Sequence, residues 1–204
     1  MPAQPFITVS GLAAAMREEN IDTDIIFPAR FLLITARAGL GRYAFHDRRF
    51  NAQGREVPGY VLNRPGYAAP PVIVAGANFG SGSSREQAVW ALVGLGTRAV
   101  IASSFGEIFF SNCLRNGVVP IRLPEADVAV LMDAAEAGAA FTVDLEAQEL
   151  RVEGQPIRKF VIAPERRLAM LNGWDETDQI LNQYSDDIAS FEQGQRAVQP
   201  WLYV

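Results

Sequence analysis

Between Pro71 and Leu123 the chain reads strand, helix, strand, helix, strand, and this order constrains the fold more than any other feature. The run PVIVAGA (71–77) is β-branched, opened by prolines and closed by glycine. After the turn-rich NFGSGSS, the stretch SREQAVWALVGLG puts Ala88, Ala91, Leu92 and Leu95 at helical spacing, with Gly94 and Gly96 as exit signals. A second short strand, RAVIAS (98–103), leads into a second helix, FGEIFFSNCLRNG, whose Asn116-Gly117 end suits a left-handed cap. VVPIRL supplies a third strand. This alternation implies an α/β fold: a mostly parallel central sheet with right-handed crossovers.

The flanks differ. Residues 141–162 alternate (FTVDL, ELRV, RKFVI), as a small antiparallel meander does. Residues 165–195 return to a helical pattern, and DETDQILNQY opens with acids suited to a helix N-terminus. The stretch from about Gly41 to Pro70 shows neither pattern; it is long for a loop in a compact domain and points to a functional or interface segment. Residues 1–204 are expected to form a single domain with 196–204 as a C-terminal tail. There Trp201, Leu202 and Tyr203 have to cover either the chain's own core or a partner's surface.

Several classes of function are set aside by composition. No segment approaches the roughly 20 continuous apolar residues of a membrane helix. The N-terminus has no basic region ahead of an apolar run, so a cytoplasmic protein is expected. A net charge of −5 without Lys/Arg clusters argues against nucleic acid as the main partner. The single cysteine, Cys113, excludes an intrachain disulfide and any Cys-rich zinc or iron–sulfur site made by this chain alone. Its apolar helical neighbours suit a buried, inert thiol.

The segment richest in chemistry is Asn78-Phe79-Gly80-Ser81-Gly82-Ser83-Ser84-Arg85-Glu86-Gln87. A strand ends there, small residues allow a tight turn, and two hydroxyls approach a helix start whose free N–H groups favour an anion. Ser83 and Ser84 can add hydrogen bonds, and Arg85 can grip a carboxylate with two parallel bonds. The plainer alternative is that Ser84 caps the helix and the glycines only make a turn. The position, between a buried strand and a helix, is where open α/β sheets place ligands, and it favours an anion cradle.

Walker, dinucleotide-binding and nucleophile-elbow patterns all fail here. There is no Lys-Ser/Thr pair, Arg85 stands where a third glycine is needed, and neither Ser81 nor Ser83 has both flanking glycines. His46, the only histidine, lies between Phe45 and Asp47 and suits a structural role. A second candidate is Asn20-Ile21-Asp22-Thr23-Asp24-Ile25-Ile26-Phe27-Pro28, followed by Ala29-Arg30. In an extended segment Asp22 and Asp24 share a face, where they can orient an arginine, bind a cation or cap a turn.

Taken together, NIDTDIIFPARFL, YAFHDRRF, VLNRP, NFGSGSSREQAVWAL, SSFGEIFFSNCLRNGVVPI and LNGWDETDQIL resemble the 3-isopropylmalate dehydratase small-subunit family, related to the mobile fourth domain of aconitase. The resemblance spans nearly the whole chain. It implies a swivelling β/β/α domain and a larger partner that holds a 4Fe–4S cluster, whose open iron acts as a Lewis acid. The substrate implied is a small hydroxy-dicarboxylic acid, interconverted between 2- and 3-isopropylmalate in leucine biosynthesis. By position, Ser83 matches the alkoxide that serves as base, Ser84 and Arg85 match carboxylate-binding residues, and Asp24 lines the same cleft. Asn78, Gly80, Ser81 and Gly82 shape the supporting loop.

The chain departs from the family pattern at Ser81 (usually cysteine), at Gln87 (usually histidine) and at Ala29-Arg30 (usually Lys-Gln). Arg30 can supply the same positive charge from the next position. These changes leave open paralogous substrates such as dimethylmalate, methylmalate, homoaconitate or maleate. A non-catalytic anion-binding module is the alternative from a different class.

Overall fold

A computed structural model describes residues 4–203. Its centre is one seven-stranded sheet in the order β4-β3-β2-β1-β5-β6-β7. Four strands run parallel: β1 (Thr8–Met16), β2 (Val72–Ala75), β3 (Ala99–Ala102) and β4 (Val119–Arg122). On the other side of β1, β5 (Ala140–Asp144), β6 (Glu149–Val152) and β7 (Arg158–Lys159) form the antiparallel meander. The expected parallel sheet and meander are therefore two halves of one sheet, joined at β1.

β1 itself gives almost no strand signal. Its Ala13-Ala14-Ala15 core has helical rather than β propensity. Pairing with β2 on one edge and β5 on the other overrides that preference, and small side chains suit a strand covered on both faces. β2 (VIVA) and β3 (AVIA) are buried throughout, as strands between two helical layers must be. Ile73 and Ala75 enter one core, Val72 and Val74 the other.

The first core is closed by α3 (Glu86–Leu95), which links β2 to β3, and by α4 (Glu107–Arg115), which links β3 to β4. Gly96 (φ +104°) and Gly117 (φ +75°) end these helices in the left-handed region, as their positions suggest. On the opposite face α5 (Glu125–Glu136) returns the chain from β4 to β5, and the meander and Met170 pack beside it.

Residues 41–70 are mostly irregular, as expected, but short helical turns interrupt them. These include Leu40–Tyr43, α2 (His46–Arg49) and Val61–Asn63, and Leu40, Phe45 and Leu62 are fully buried over α3. Their mixed burial has neither helical nor strand period, so the sequence reads as unstructured. Gly41 is required for the fit: a Cβ there would lie 2.2 Å from the Gly94 backbone.

One turn of helix, α1 (Thr23–Ile26), lies between β1 and this layer. The chain ends in α6 (Pro164–Asn172), α7 (Glu176–Gln183), α8 (Ser185–Val198) and a 3-10 turn, Pro200–Tyr203. Residues 196–198 thus belong to α8.

Candidate active site

The loops after β1, β2 and β3 meet at the C-terminal edge of the parallel half-sheet, and backbone hydrogen bonds lock them together. Asn20 N–H donates to the Ala77 carbonyl (2.9 Å), Gly80 N–H to Ile21 (2.7 Å) and Thr23 N–H to Ser81 (2.9 Å). From the other side Phe79 N–H donates to Ser104 (3.1 Å) and Gly106 N–H to Phe79 (3.0 Å). Residues 78–82 are therefore held like an irregular strand between two neighbours.

Side chains complete the lock. Asn78 Nδ2 donates to Asn20 Oδ1 (2.8 Å), and Ser104 Oγ accepts from Asn78 N–H (2.8 Å). Phe79, fully buried, meets Phe105 and Phe109 edge-on at ring separations of 6.4 and 5.5 Å. Such a buried ring contributes about 1.5–3 kcal/mol. Gly80 has φ +72°, and a Cβ there would fall 2.2 Å from the Phe109 ring, so no other residue fits without rearrangement.

Past this anchor the chain turns outward. Gly82 has φ +90°, and Ser83 and Ser84 are exposed. The expected helix start at the serines is displaced: α3 begins at Glu86 with Arg85 in the capping position and no side-chain cap bond. The capping alternative for Ser84 is thereby overturned, because the residue stands before the cap instead of in it. Ser83 is tied through its carbonyl, which accepts from Thr23 Oγ1 (3.0 Å). Among the described residues neither serine hydroxyl has a side-chain partner. Both are thus available to a ligand in front of the amide end of α3.

Asp22 and Asp24 do not share a face. Asp22 caps α1 by accepting from Ile25 N–H (2.8 Å), which turns the segment helical and separates the two carboxylates. Asp24 pairs with Arg85, and its carboxylate also accepts from Ala29 N–H (3.1 Å). The Arg85 guanidinium holds the Asp24 carboxyl below the usual carboxylate range. Arg85 is 15% exposed along its side chain and its pair is recorded through one terminal nitrogen. The rest of the guanidinium fork is left to meet a second carboxylate.

Arg30 is committed elsewhere. Its guanidinium grips Asp47 through both terminal nitrogens, lies 3.1 Å from His46 Nδ1 and stacks on Phe31. The arginine draws the Asp47 carboxyl down to about 2. These groups line a separate cleft of 470 Å³ with Phe50 and Asn51. His46 sits among Phe31, Tyr43 and Phe50, a structural setting. The structure therefore unites Asp24, Ser83, Ser84 and Arg85 and places Arg30 in a neighbouring polar cluster.

Cys113 is fully buried on α4, and burial pushes its thiol pKa up. Among the described residues no group of three His, Cys, Asp or Glu side chains is arranged to hold a metal, so this donor set does not fit an iron–sulfur cluster.

The sequence matches the aconitase C-terminal domain family over residues 3–126. A second match, to the C-terminal domain of the 3-isopropylmalate dehydratase small subunit, covers residues 183–203. The 3-isopropylmalate dehydratase small subunit of Rhodospirillum centenum is 48% identical over 97% of this chain and 98% of its own. The chain belongs to this small-subunit family. The proteins of the same name from Parvibaculum lavamentivorans and Ruegeria sp. are 47% and 45% identical, over 97% and 98% of this chain and 98% and 100% of theirs. A crystal structure of 3-isopropylmalate dehydratase from Methanocaldococcus jannaschii superposes with a TM-score of 0.63 at 26% identity, covering 90% of this chain and 99% of that one. Family membership fits the swivelling-domain α/β fold expected from the sequence.

Among the described residues no helix is long and apolar enough to cross a membrane. Ser83, Ser84 and Arg85 stand out from the strand-to-helix turn itself, whereas grouping Asp24 with them is what the family resemblance implies. Thr23, which fastens Ser83, and Ser104, which braces Asn78, carried no such signal.

Proposed function

We propose that this chain is the substrate-binding small subunit of a 3-isopropylmalate dehydratase, a hydro-lyase interconverting 2- and 3-isopropylmalate in the cytoplasm as part of leucine biosynthesis. The observation that carries the reading is the pair of exposed serines, with no side-chain hydrogen bond among the described residues, next in sequence to Arg85 of the Arg85–Asp24 pair at the amide end of α3. The relatives' shared name supports the substrate class.

In this reading Arg85 and Ser84 bind a substrate carboxylate, using the part of the guanidinium fork that Asp24 leaves open. Asp24 fixes the fork in place. Ser83 Oγ, as an alkoxide, takes the proton from the carbon next to that carboxylate and holds it for return. The C–H electron pair becomes the double bond, and the hydroxyl on the adjacent carbon departs to the partner's Lewis acid. An alkoxide is a costly species in water. Positive charge from Arg85, the α3 amide end and exclusion of solvent on closure against a partner would all lower that cost. The 4Fe–4S cluster belongs to the larger partner subunit in this scheme, since the single buried thiol here cannot hold one.

The test is anaerobic reconstitution with the large subunit and an assay of 2-isopropylmalate dehydration. Ser83→Ala should leave folding intact and lower turnover by about 10²–10⁴-fold. Retained turnover would remove Ser83 as the base. Activity only on another malate-type acid would keep the chemistry and change the substrate.

A further inference from the structure

The last part of the chain behaves unlike the rest. Not one residue of α7, α8 or the Pro200–Tyr203 turn is buried. The main packing of α8 is against α7 and that turn, where Tyr203 Oη donates to Gln195 Oε1 (2.6 Å) and Arg196 stacks on the Tyr203 ring. Arg115 of α4, 3.5 Å from Glu176, ties the base of the arm to the body.

The sequence nevertheless gives this arm an apolar face. Leu181, Tyr184, Ile188, Phe191 and Val198 follow a three–four spacing that repeats on one side of a helix. Tyr184 is where the two helices meet: its N–H donates to Ile180 at the end of α7 and its carbonyl accepts from Ile188 in the first turn of α8. Phe191 is 67% exposed, Val198 73%, Trp201 67% and Leu202 57%. With Ile180, Leu181 and Tyr184 they offer on the order of 800 Å² of exposed side chain, which is one partner's share of a stable interface. A 14-residue helix with Gly194 inside it is marginal alone, so its stability has to come from packing.

Charge selects the occupant. The arm has five acids (Glu176, Asp178, Asp186, Asp187 and Glu192) against one base, Arg196, on a chain of net charge −5. A second copy would bring the same negative surface and be repelled. The match to the C-terminal domain of the small-subunit family covers 183–203, so the arm recurs in proteins defined as subunits.

We propose that residues 176–203 are the arm by which this chain docks onto its larger partner subunit, in an apolar groove with a basic rim. This rests on the small-subunit reading above. The body domain is then free to close over substrate while the arm keeps the two chains together.

The test uses the full chain and the purified large subunit, with binding measured anaerobically by titration calorimetry. Phe191→Asp combined with Trp201→Asp should weaken binding by roughly 100-fold or more, with circular dichroism and melting midpoint unchanged. Asp186→Lys with Asp187→Lys should slow association several-fold at low salt. Binding of the aromatic double variant at wild-type strength would overturn the arm and leave the catalytic reading standing. A wild-type homodimer that this variant breaks would likewise overturn it, in favour of self-association. Ser83→Ala is expected to bind as tightly as wild type; if that variant turns over substrate, the base assignment fails and the arm stands.

Discussion

The loop at 78–85 presents polar groups to solvent and the arm at 176–203 presents apolar ones as well, and the two are built in opposite ways. The loop is irregular in secondary structure but fixed from three sides, by the segments after β1 and β3 and by the Phe79–Phe105–Phe109 ring cluster. The arm is regular helix and fixed almost nowhere, with its apolar stripe facing outward. Regularity and rigidity are therefore separate properties here. Rigidity comes from burial and cross-chain hydrogen bonds. A helix supplies only its own ladder.

The strongest way to sharpen this contrast is Ser83→Ala, which should cost about 10²–10⁴-fold in turnover while changing stability by less than about 0.5 kcal/mol. Kinetics and thermal melting on one preparation would show it. Gly80→Ala attacks the anchor instead of the chemistry. Left-handed strain and the collision with Phe109 should destabilise the fold by about 2–4 kcal/mol, readable by urea unfolding. Arg85→Lys keeps the charge and loses the fork, so KM should rise by roughly 10–100-fold with a smaller change in kcat.

Asp24→Asn gives a smaller and pH-dependent effect. Because Arg85 depresses the folded-state pKa of Asp24, the pair stabilises fully above the ordinary carboxylate value near 4. That contribution is lost as pH falls through the depressed value. Asp24 is half exposed, so the difference from wild type should stay under about 1 kcal/mol at neutral pH and close in acid. A melting series from pH 7 to pH 2 measures it. Smallest of all, Phe191→Asp should shift the isolated chain's stability by less than about 0.5 kcal/mol, since that ring is not buried in its own fold. A large loss there would break the comparison by showing the arm to be structural.

Legibility in the sequence followed the same division. β2, α3, β3, α4 and β4 announce themselves because strand and helix periods coincide with burial. The meander does so too. β1 did not, because its alanines carry no β preference and only its two neighbours make it a strand. Within residues 41–70 the sequence concealed the few side chains that enter the core, such as Phe45 and Leu62, because they follow no single period.

At the site, the turn chemistry brought Ser83, Ser84 and Arg85 forward, since a strand-to-helix turn rich in glycine and hydroxyls can serve few purposes, while Asp24 joined them only through the family resemblance. Which carboxylate faces the arginine was a tertiary matter. Asp22 and Asp24 are equivalent on an extended chain, and one turn of helix sends the first to a backbone amide and the second to Arg85. Arg30 looked equally available until Asp47, 17 residues on, claimed its guanidinium.

By itself the sequence determined the alternating α/β order, the anion-favouring turn, the lack of cysteines for a cluster site and the apolar C-terminal tail. These depend on local period, residue type and count. The tertiary structure alone decided that β1 joins the two half-sheets, that Ser84 stands outside the α3 cap, and that the arm's apolar face stays uncovered. Those outcomes depend on contacts between segments far apart in the chain, where packing and hydrogen-bond geometry override what each segment prefers alone.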